Sequence, residues 1–215
     1  MPDLSFAILG AQAEAYAAVP TISFKLRLAE ESGEDIHTIA LRCQIQIEAQ
    51  RRPYSAAERD RLLELFGEPK RWGETLRPVL WSQANLMVAG FRGSTEVSLP
   101  LVCTYDFEVI AAKYLQALDD GEIPLLFLFN GTMFTKGGAG GFAVQPVPWE
   151  KEAAFRLPVR VWREVMDRYF PGGAWIRLQR ESFDALHRFK GRRALPTWDD
   201  AVAALLVAAG EEGPR

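Results

Sequence analysis

The segment from Ile39 to Ala49 alternates between apolar and polar side chains along its whole length. A repeat of two residues matches the alternation of side chains across a β-strand and not the 3.6-residue turn of a helix. The segment therefore predicts a strand with one buried face, which needs a second layer to cover it. The apolar face carries Ile39, Leu41, Cys43, Ile45 and Ile47, and the polar face carries Arg42, Gln44, Gln46 and Glu48.

Similar alternation predicts strands before and after this segment. Residues 22–28 alternate in the same way, and the turn-forming sequence AEESGED joins them to Ile39, so we expect the two strands to form a hairpin. Residues 97–107 also alternate, and Pro100 within them is typical of an edge strand or a bulge. Further strands are predicted over residues 4–8, 123–135, 142–147 and 152–157.

Helices are predicted in three regions. Ser55 and Glu58 form a capping-box pattern ahead of a leucine-rich helix, and we expect a helical insertion over about residues 55–93. Its second half, residues 70–93, is either a second short helix or an irregular cover over the sheet. A repeat of 3.6 residues over 107–118 predicts a helix between two strands, with Gly121 of the turn DDGE just after its end. From Pro158 onward the pattern is helical, with helix caps expected at Ser182 and Thr197.

Part of the chain resembles a known sandwich domain. STEVSLPLVCTYDFEVIAAKYLQAL, followed by GEIPLLFLFNGTMF and EAAFRLP, resembles the water-stress and late-embryogenesis (LEA-2, WHy) β-sandwich. PTISFKLRLAEESGEDIHTIALRCQIQIEA resembles the first hairpin of that domain. The resemblance spans residues 20–158, interrupted by the insertion, and it implies a sandwich with a crossing helix and a protective or structural role.

A second resemblance covers the whole chain. LRCQIQIEAQRRPYS, LFGEPKRWGETLRP, CTYDFEVIAAKY and FKGRRALPTWDDAV are similar to an uncharacterised bacterial family, known mainly from actinobacteria. Genes of that family often lie beside those of high-affinity nickel–iron hydrogenases. The resemblance implies an association with these enzymes and assigns no site.

We therefore expect a mainly β fold. It is an antiparallel immunoglobulin-like or LEA-2-like sandwich with a crossing helix, a helical insertion and a C-terminal helical segment, which makes it α+β overall. The predicted domains are a sandwich over residues 1–157, a helical segment packed on it over 158–210, and a tail over 211–215.

Charge and composition limit the kinds of partner and the cellular location that we expect. The 215 residues carry a net charge of −3, so neither nucleic acid nor an anionic membrane is expected to attract the chain. No export signal and no apolar run long enough to span a membrane is visible, which indicates a cytoplasmic protein with reduced thiols.

The chain shows no recognisable catalytic, cofactor-binding or metal-binding motif. Cys43 and Cys103 lie on apolar strand faces, where a thiol is usually a core residue, although a redox pair stays open. His37 and His187 are expected to be exposed. Asp106 and Glu108 are interpreted as caps of the crossing helix, and the glycine-rich KGGAGG as a flexible hairpin turn.

Two surfaces are candidates for binding a protein. Arg71, Trp72, Arg77 and Trp81 would form a partner surface if the tryptophans are exposed, since Trp and Arg are common at interface centres. If they are buried, they only cover the sandwich. The basic patch Arg188, Lys190, Arg192 and Arg193 is either a solvated helix end or a docking site for an acidic partner.

Three functions remain after this reasoning. The preferred one is a non-enzymatic binding or accessory protein with a protein partner, related to hydrogenase maturation or assembly through the family resemblance alone. The second is a protective sandwich of the water-stress type. The third is an enzyme whose site is assembled from scattered acids and arginines. A binding protein predicts a contiguous exposed apolar patch.

Overall fold

The strands form two antiparallel sheets in the computed structural model, which describes residues 2–104, 109–137, 141–173 and 176–211. One sheet has the order β1-β2-β5; the other has the order β4-β3-β6-β7, with β8 also paired to β6. The strands are β1 (Leu4–Ala13), β2 (Thr21–Glu30), β3 (Ile36–Ile47), β4 (Val79–Phe91), β5 (Ser94–Val102), β6 (Glu122–Lys136), β7 (Phe142–Val147) and β8 (Glu152–Pro158).

The apolar faces of the two sheets form one core. Phe6 of β1 stacks on Phe129 of β6 with ring centroids 4.4 Å apart, and Phe24 of β2 meets Phe127 edge-on at 5.1 Å. The alternating apolar residues of β3 are buried in this core, as the sequence predicts. The predicted antiparallel sandwich is confirmed.

The expected hairpin between β2 and β3 is wrong. β2 pairs with β1 and β5, whereas β3 pairs with β4 and β6, so the loop between them crosses from one sheet to the other. Both strands present one apolar face to the same core, and a hairpin and an inter-sheet crossing therefore produce the same alternation in the sequence.

The buried carboxylate of Glu30 organises this crossing. It accepts backbone N–H groups from Asp3, Ser32, Gly33 and Glu34 and a hydrogen bond from the Ser32 hydroxyl. Burial opposes ionisation, but the hydrogen bonds outweigh it and lower the pKa of Glu30 from its ordinary value to about 2.

The insertion is helical only in its first half. It contains α1 (Ala56–Arg61), α2 (Leu63–Phe66) and α3 (Trp72–Thr75), with a short 3-10 turn at Pro69–Arg71. Another 3-10 turn, Ala49–Arg51, precedes it. The capping box of Ser55 and Glu58 is present. A short helix or an irregular cover was expected over residues 70–93. Val79–Phe91 is instead a strand, because its side chains alternate between the core and the outer face of the sheet.

The turn DDGE connects helix α4 (Ile110–Gln116) to β6. Gly121 has φ +86°, which suits the glycine that follows a helix. Arg52, which lies just before the insertion, reaches this turn, pairs with buried Glu58 at 2.8 Å and donates to the Asp120 carbonyl at 3.2 Å. Glu58 also accepts the Asp119 N–H at 3.0 Å. These bonds give the turn a structural role.

Helix α5 (Val159–Tyr169) completes the first of two compact units, Met1–Trp175. Val161, Trp162, Val165 and Met166 lie on its buried face, and the helix contacts β1, β2 and β8. The sequence placed α5 with the C-terminal helices, whereas the contacts place it with the sandwich. Pro100 lies in β5, an edge strand as predicted, because β2 is the one strand that pairs with β5 among the described residues.

The second unit, Ile176–Arg215, contains helices α6 (Arg180–Arg192) and α7 (Trp198–Ala208). Thr197 and Asp200 form the capping box of α7, as predicted. The expected cap at Ser182 is wrong because α6 begins earlier: Gln179 has the extended backbone of the cap position and accepts the Phe183 N–H at 3.0 Å. Ser182 therefore lies in the first turn.

Candidate protein-binding face

The outer face of the five-stranded sheet carries a contiguous set of apolar side chains. Strand pairing places Met87, Ala40, Thr132 and Pro146 in one row across β4, β3, β6 and β7. The next row is Ala89, Thr38, Phe134 and Val144, and Phe142 follows on β7. We call these residues, with Arg42, the outer sheet face.

The outer sheet face is exposed because the opposite side of the same strands forms the core. The neighbouring residues Leu41, Val88, Met133 and Val147 point inward and are buried. Met87 is 66% exposed, and Phe142 and Val144 are each 61% exposed. Met87 lies on β4 and the other two on β7, with β3 and β6 between them. Large apolar side chains exposed to this extent on one sheet face are typical of an interaction surface.

An open groove of about 620 Å³ runs across this face. Its walls combine apolar Met87 and Pro146 with polar Arg42, Asn85 and Asn130. Arg42 is exposed, and no ion pair joins it to another residue in the described ranges. The groove therefore offers a free guanidinium and two amides beside apolar surface.

Gly131 forms part of the floor of this groove. Its φ is +152°, and a Cβ there would lie 2.2 Å from the Ala40 carbonyl oxygen. Only glycine permits β6 to approach β3 this closely, so Gly131 fixes the depth of the groove as well as the strand pairing.

The outer face of the three-stranded sheet is chemically different. Glu96 forms ion pairs with Lys25 and Arg27, each at 2.6 Å, and these charges also hold the pKa of Glu96 below its ordinary value. Ser23 and Ser98 share a hydrogen bond of 2.6 Å. This face satisfies its own polar groups, whereas the outer sheet face leaves apolar area and one guanidinium to a partner.

In the predicted partner surface, the two tryptophans pack against other residues of the protein and the two arginines are exposed. Trp72 is half-buried, meets the Tyr54 ring at 5.2 Å and donates from its indole to the Gly67 carbonyl at 2.9 Å. Trp81 is also half-buried and packs against the core. Both tryptophans therefore anchor the insertion or its neighbouring strand.

The two arginines of that surface are exposed. Trp72 and Arg77 line a groove of about 380 Å³. Binding of a partner by Arg71 or Arg77 stays a prediction.

The predicted basic patch lies at the end of α6. Lys190 Nζ lies 5.6 Å from the Trp198 ring, and Arg193 Cζ lies 4.9 Å from the Phe189 ring. Arg188 and Arg192 are exposed. Two of the four cations thus contact aromatic rings, and docking of an acidic partner on the patch stays a prediction.

The other candidate residues have simple environments. Cys43 and Cys103 are buried free thiols, as expected of core residues, and burial raises the pKa of each to about 12. His37 and His187 are exposed, as predicted. Asp106, Glu108 and the centre of KGGAGG lie outside the described residues.

Within the described ranges, no three Cys, His, Asp or Glu side chains lie close enough together to hold a metal ion. None of the helices described is both long and apolar enough to cross a lipid bilayer.

A family model described as a family of unknown function (DUF6084) matches residues 1–214. The chain belongs to this family. No curated protein matches it.

Solved structures show only a distant likeness. The CARDB domain of a Pyrococcus furiosus protein, solved with di-metal ions, is 9% identical over 73% of this chain and 92% of that chain, with a TM-score of 0.30. A protein described as late embryogenesis abundant (LEA) is 14% identical over 74% of this chain and 73% of that chain, with a TM-score of 0.34.

The sequence reasoning missed the outer sheet face. The available signal was the absence of charge from residues 79–91 and the alternation of Phe142 and Val144 with smaller or polar neighbours. Sequence alone does not say which face of a strand meets solvent when both faces are largely apolar.

Proposed function

We propose that this member of the DUF6084 family is a non-enzymatic binding protein that holds another protein on its outer sheet face. The observation that carries the proposal is the exposure of Met87 on β4 and of Phe142 and Val144 on β7, on one sheet face. The residues between them are the partly exposed Ala40, Thr132, Thr38 and Phe134. Aromatic residues, Met and Arg are the types enriched at protein interfaces, and this face presents all three.

The chemistry of the face defines the partner. Its apolar rows require a complementary apolar surface. Arg42 requires a carboxylate opposite it, because a guanidinium buried without an anion would oppose binding. Asn85 and Asn130 can hydrogen-bond to polar groups of the partner at the edge of the apolar contact. The expected partner surface is therefore apolar with at least one acidic residue.

The identity of the partner follows from the family resemblance and from no contact in the structure. We propose that the protein is an accessory factor that assists maturation or assembly of a nickel–iron hydrogenase. The test is affinity purification from native cells that express the hydrogenase, with mass spectrometry of the proteins that co-elute. A hydrogenase subunit or maturation factor should be present in stoichiometric amount.

A pair of matched variants tests the surface. Val144 on the outer sheet face and Val102 on β5 are 61% and 59% exposed, so replacing either with Lys adds the same charge at the same exposure. Val144→Lys places an ammonium in the proposed interface and should weaken the complex at least about tenfold, whereas Val102→Lys should leave it unchanged. Equal effects of the two variants would remove the outer sheet face as the binding surface.

The same purification separates the alternatives. If the protein elutes alone while the hydrogenase is expressed, the accessory function loses its support. A water-stress protein would instead preserve the activity of an unrelated dried enzyme without forming a stable complex, and Val144→Lys would not change that protection.

A further inference from the structure

Strand β4 forms one end of the five-stranded sheet and has an open edge. Among the residues that the structure describes, only β3 pairs with it. Its sequence, VLWSQANLMVAGF, contains no Asp, Glu, Lys, Arg or Pro. Natural edge strands are usually protected by charges, proline or an adjacent element, because an unprotected edge pairs with other chains.

The other edges in the structure have such protection. β5 carries Glu96 and Pro100, and the short β7 carries Pro146. β8 carries Glu152 and Arg156, and β1 packs against α5 and β8. β4, with 13 residues, is longer than β1, which has 10 residues and is also uncharged. β4 contacts β5 and α4, but among the described residues neither of them pairs with its open edge.

The direction of the backbone groups shows which residues of β4 are available. The Thr38 hydroxyl of β3 donates to the Val88 carbonyl at 2.9 Å, so the peptide groups of Val88 point toward β3. Because successive residues of a strand direct these groups to opposite edges, Gln83, Asn85, Met87 and Ala89 direct theirs to the open edge. A bulge at Trp81, which is left unpaired between Ser82 and Leu80, bounds this stretch.

We propose that β4 pairs antiparallel with β4 of a second copy of this chain, about a two-fold axis at Leu86. In this register Asn85 opposes Met87 of the second copy, and Gln83 opposes Ala89, so all four outward-directed residues form backbone hydrogen bonds across the axis. The two five-stranded sheets then join into one.

Charge favours a second copy over a different protein as the occupant. Two-fold pairing brings like strands together, and any charged residue near the axis would meet its own copy and repel it. β4 has none along its whole length, and its inward residues Ala84, Leu86 and Val88 meet each other on the core side. A strand of another protein would instead be selected by charges that β4 lacks.

This pairing goes beyond the proposed function and does not depend on it. Phe142 and Val144 lie on β7, beyond β6 from β4, so a dimer through β4 leaves them exposed. Loss of the dimer and loss of partner binding are therefore measured with separate variants.

The mass of the full chain in solution tests the pairing. Sedimentation velocity should give twice 24.1 kDa for the wild type at micromolar concentration. Gln83→Pro removes an N–H that points to the open edge and should reduce the mass to that of one chain, whereas Gln83→Ala keeps the N–H and should stay dimeric. A wild-type monomer, or a dimer retained by folded Gln83→Pro, would overturn the proposal.

A second variant tests the pairing of β4 with β4 if Gln83→Pro does not fold. Leu86 opposes itself at the proposed axis in a pair without mutual hydrogen bonds, where Cα atoms lie about 4.5 Å apart, close enough for a disulfide. Leu86→Cys should form a covalent dimer on mild oxidation, because the native thiols are buried. Absence of that dimer would overturn the pairing at Leu86.

Discussion

Replacing Arg52 with Met should strongly destabilise the protein, because it leaves the carboxylate of Glu58 buried without its counter-charge. The side chains of Arg52 and Glu58 are 7% and 5% exposed and lie 2.8 Å apart. Glu58 keeps the Ser55 and Asp119 N–H groups at 2.9 and 3.0 Å, but the Asp120 carbonyl loses its bond from Arg52.

The expected cost is at the lower end of the range for breaking a buried ion pair. Removing one partner of such a pair typically costs 3–5 kcal/mol, and the two remaining N–H bonds to Glu58 place this case near ~3 kcal/mol. For a protein of this length the loss corresponds to a fall in Tm of roughly 6–12 °C.

Urea titration and thermal unfolding followed by circular dichroism measure this loss. Arg92→Met is a matched control, since Arg92 is 77% exposed and pairs with Asp35 at the surface at 3.5 Å, and it should change stability by less than about 0.5 kcal/mol. The double variant with Arg52→Met and Glu58→Met should be less destabilised than the sum of the single variants by at least about 1 kcal/mol. A cost for Arg52→Met below about 1 kcal/mol, or additive single variants, would refute the assignment of this pair as the support of the turn.

Three further predictions concern the backbone at Gly131, the loss of stability at low pH through Glu30, and a buried hydrogen bond in the core. Gly131→Ala should lower stability by at least about 2 kcal/mol in urea titration, because the new methyl group would overlap the Ala40 carbonyl; an unchanged midpoint would contradict the close approach. Glu30 has a pKa of about 2 when folded, below its ordinary value, so the stability it contributes is complete above about pH 4.5 and is lost as the pH falls toward 2. Urea midpoints measured between pH 2 and 5 should therefore depend less on pH in Glu30→Gln than in the wild type. Tyr114→Phe removes the 2.8 Å hydrogen bond between the hydroxyl groups of Tyr114 and Tyr54. The free energy of unfolding, measured by thermal unfolding, should fall by about 1 kcal/mol. An unchanged value would show that this hydrogen bond makes no net contribution to stability.

Local patterns were sufficient to predict most of the elements. The alternation of Ile39–Ala49 predicts β3, and the capping boxes that begin at Ser55 and Thr197 predict the starts of α1 and α7. These predictions hold because strand alternation and helix capping involve residues only a few positions apart. The turn DDGE was predicted in the same way, because a glycine commonly follows the end of a helix, as Gly121 does.

The tertiary structure decided which strands pair and which surface faces a partner. The alternation in β2 is the same whether it pairs with β3 or with β1 and β5, since each arrangement buries the same side chains. Trp72 is suitable by residue type for either an interface or a core, and only its contacts with Tyr54 and Gly67 assign it to packing. The sequence by itself determined the period of most elements, although not that of the strand Val79–Phe91. The tertiary structure decided the neighbours of each element, because pairing and exposure depend on residues far apart in the chain.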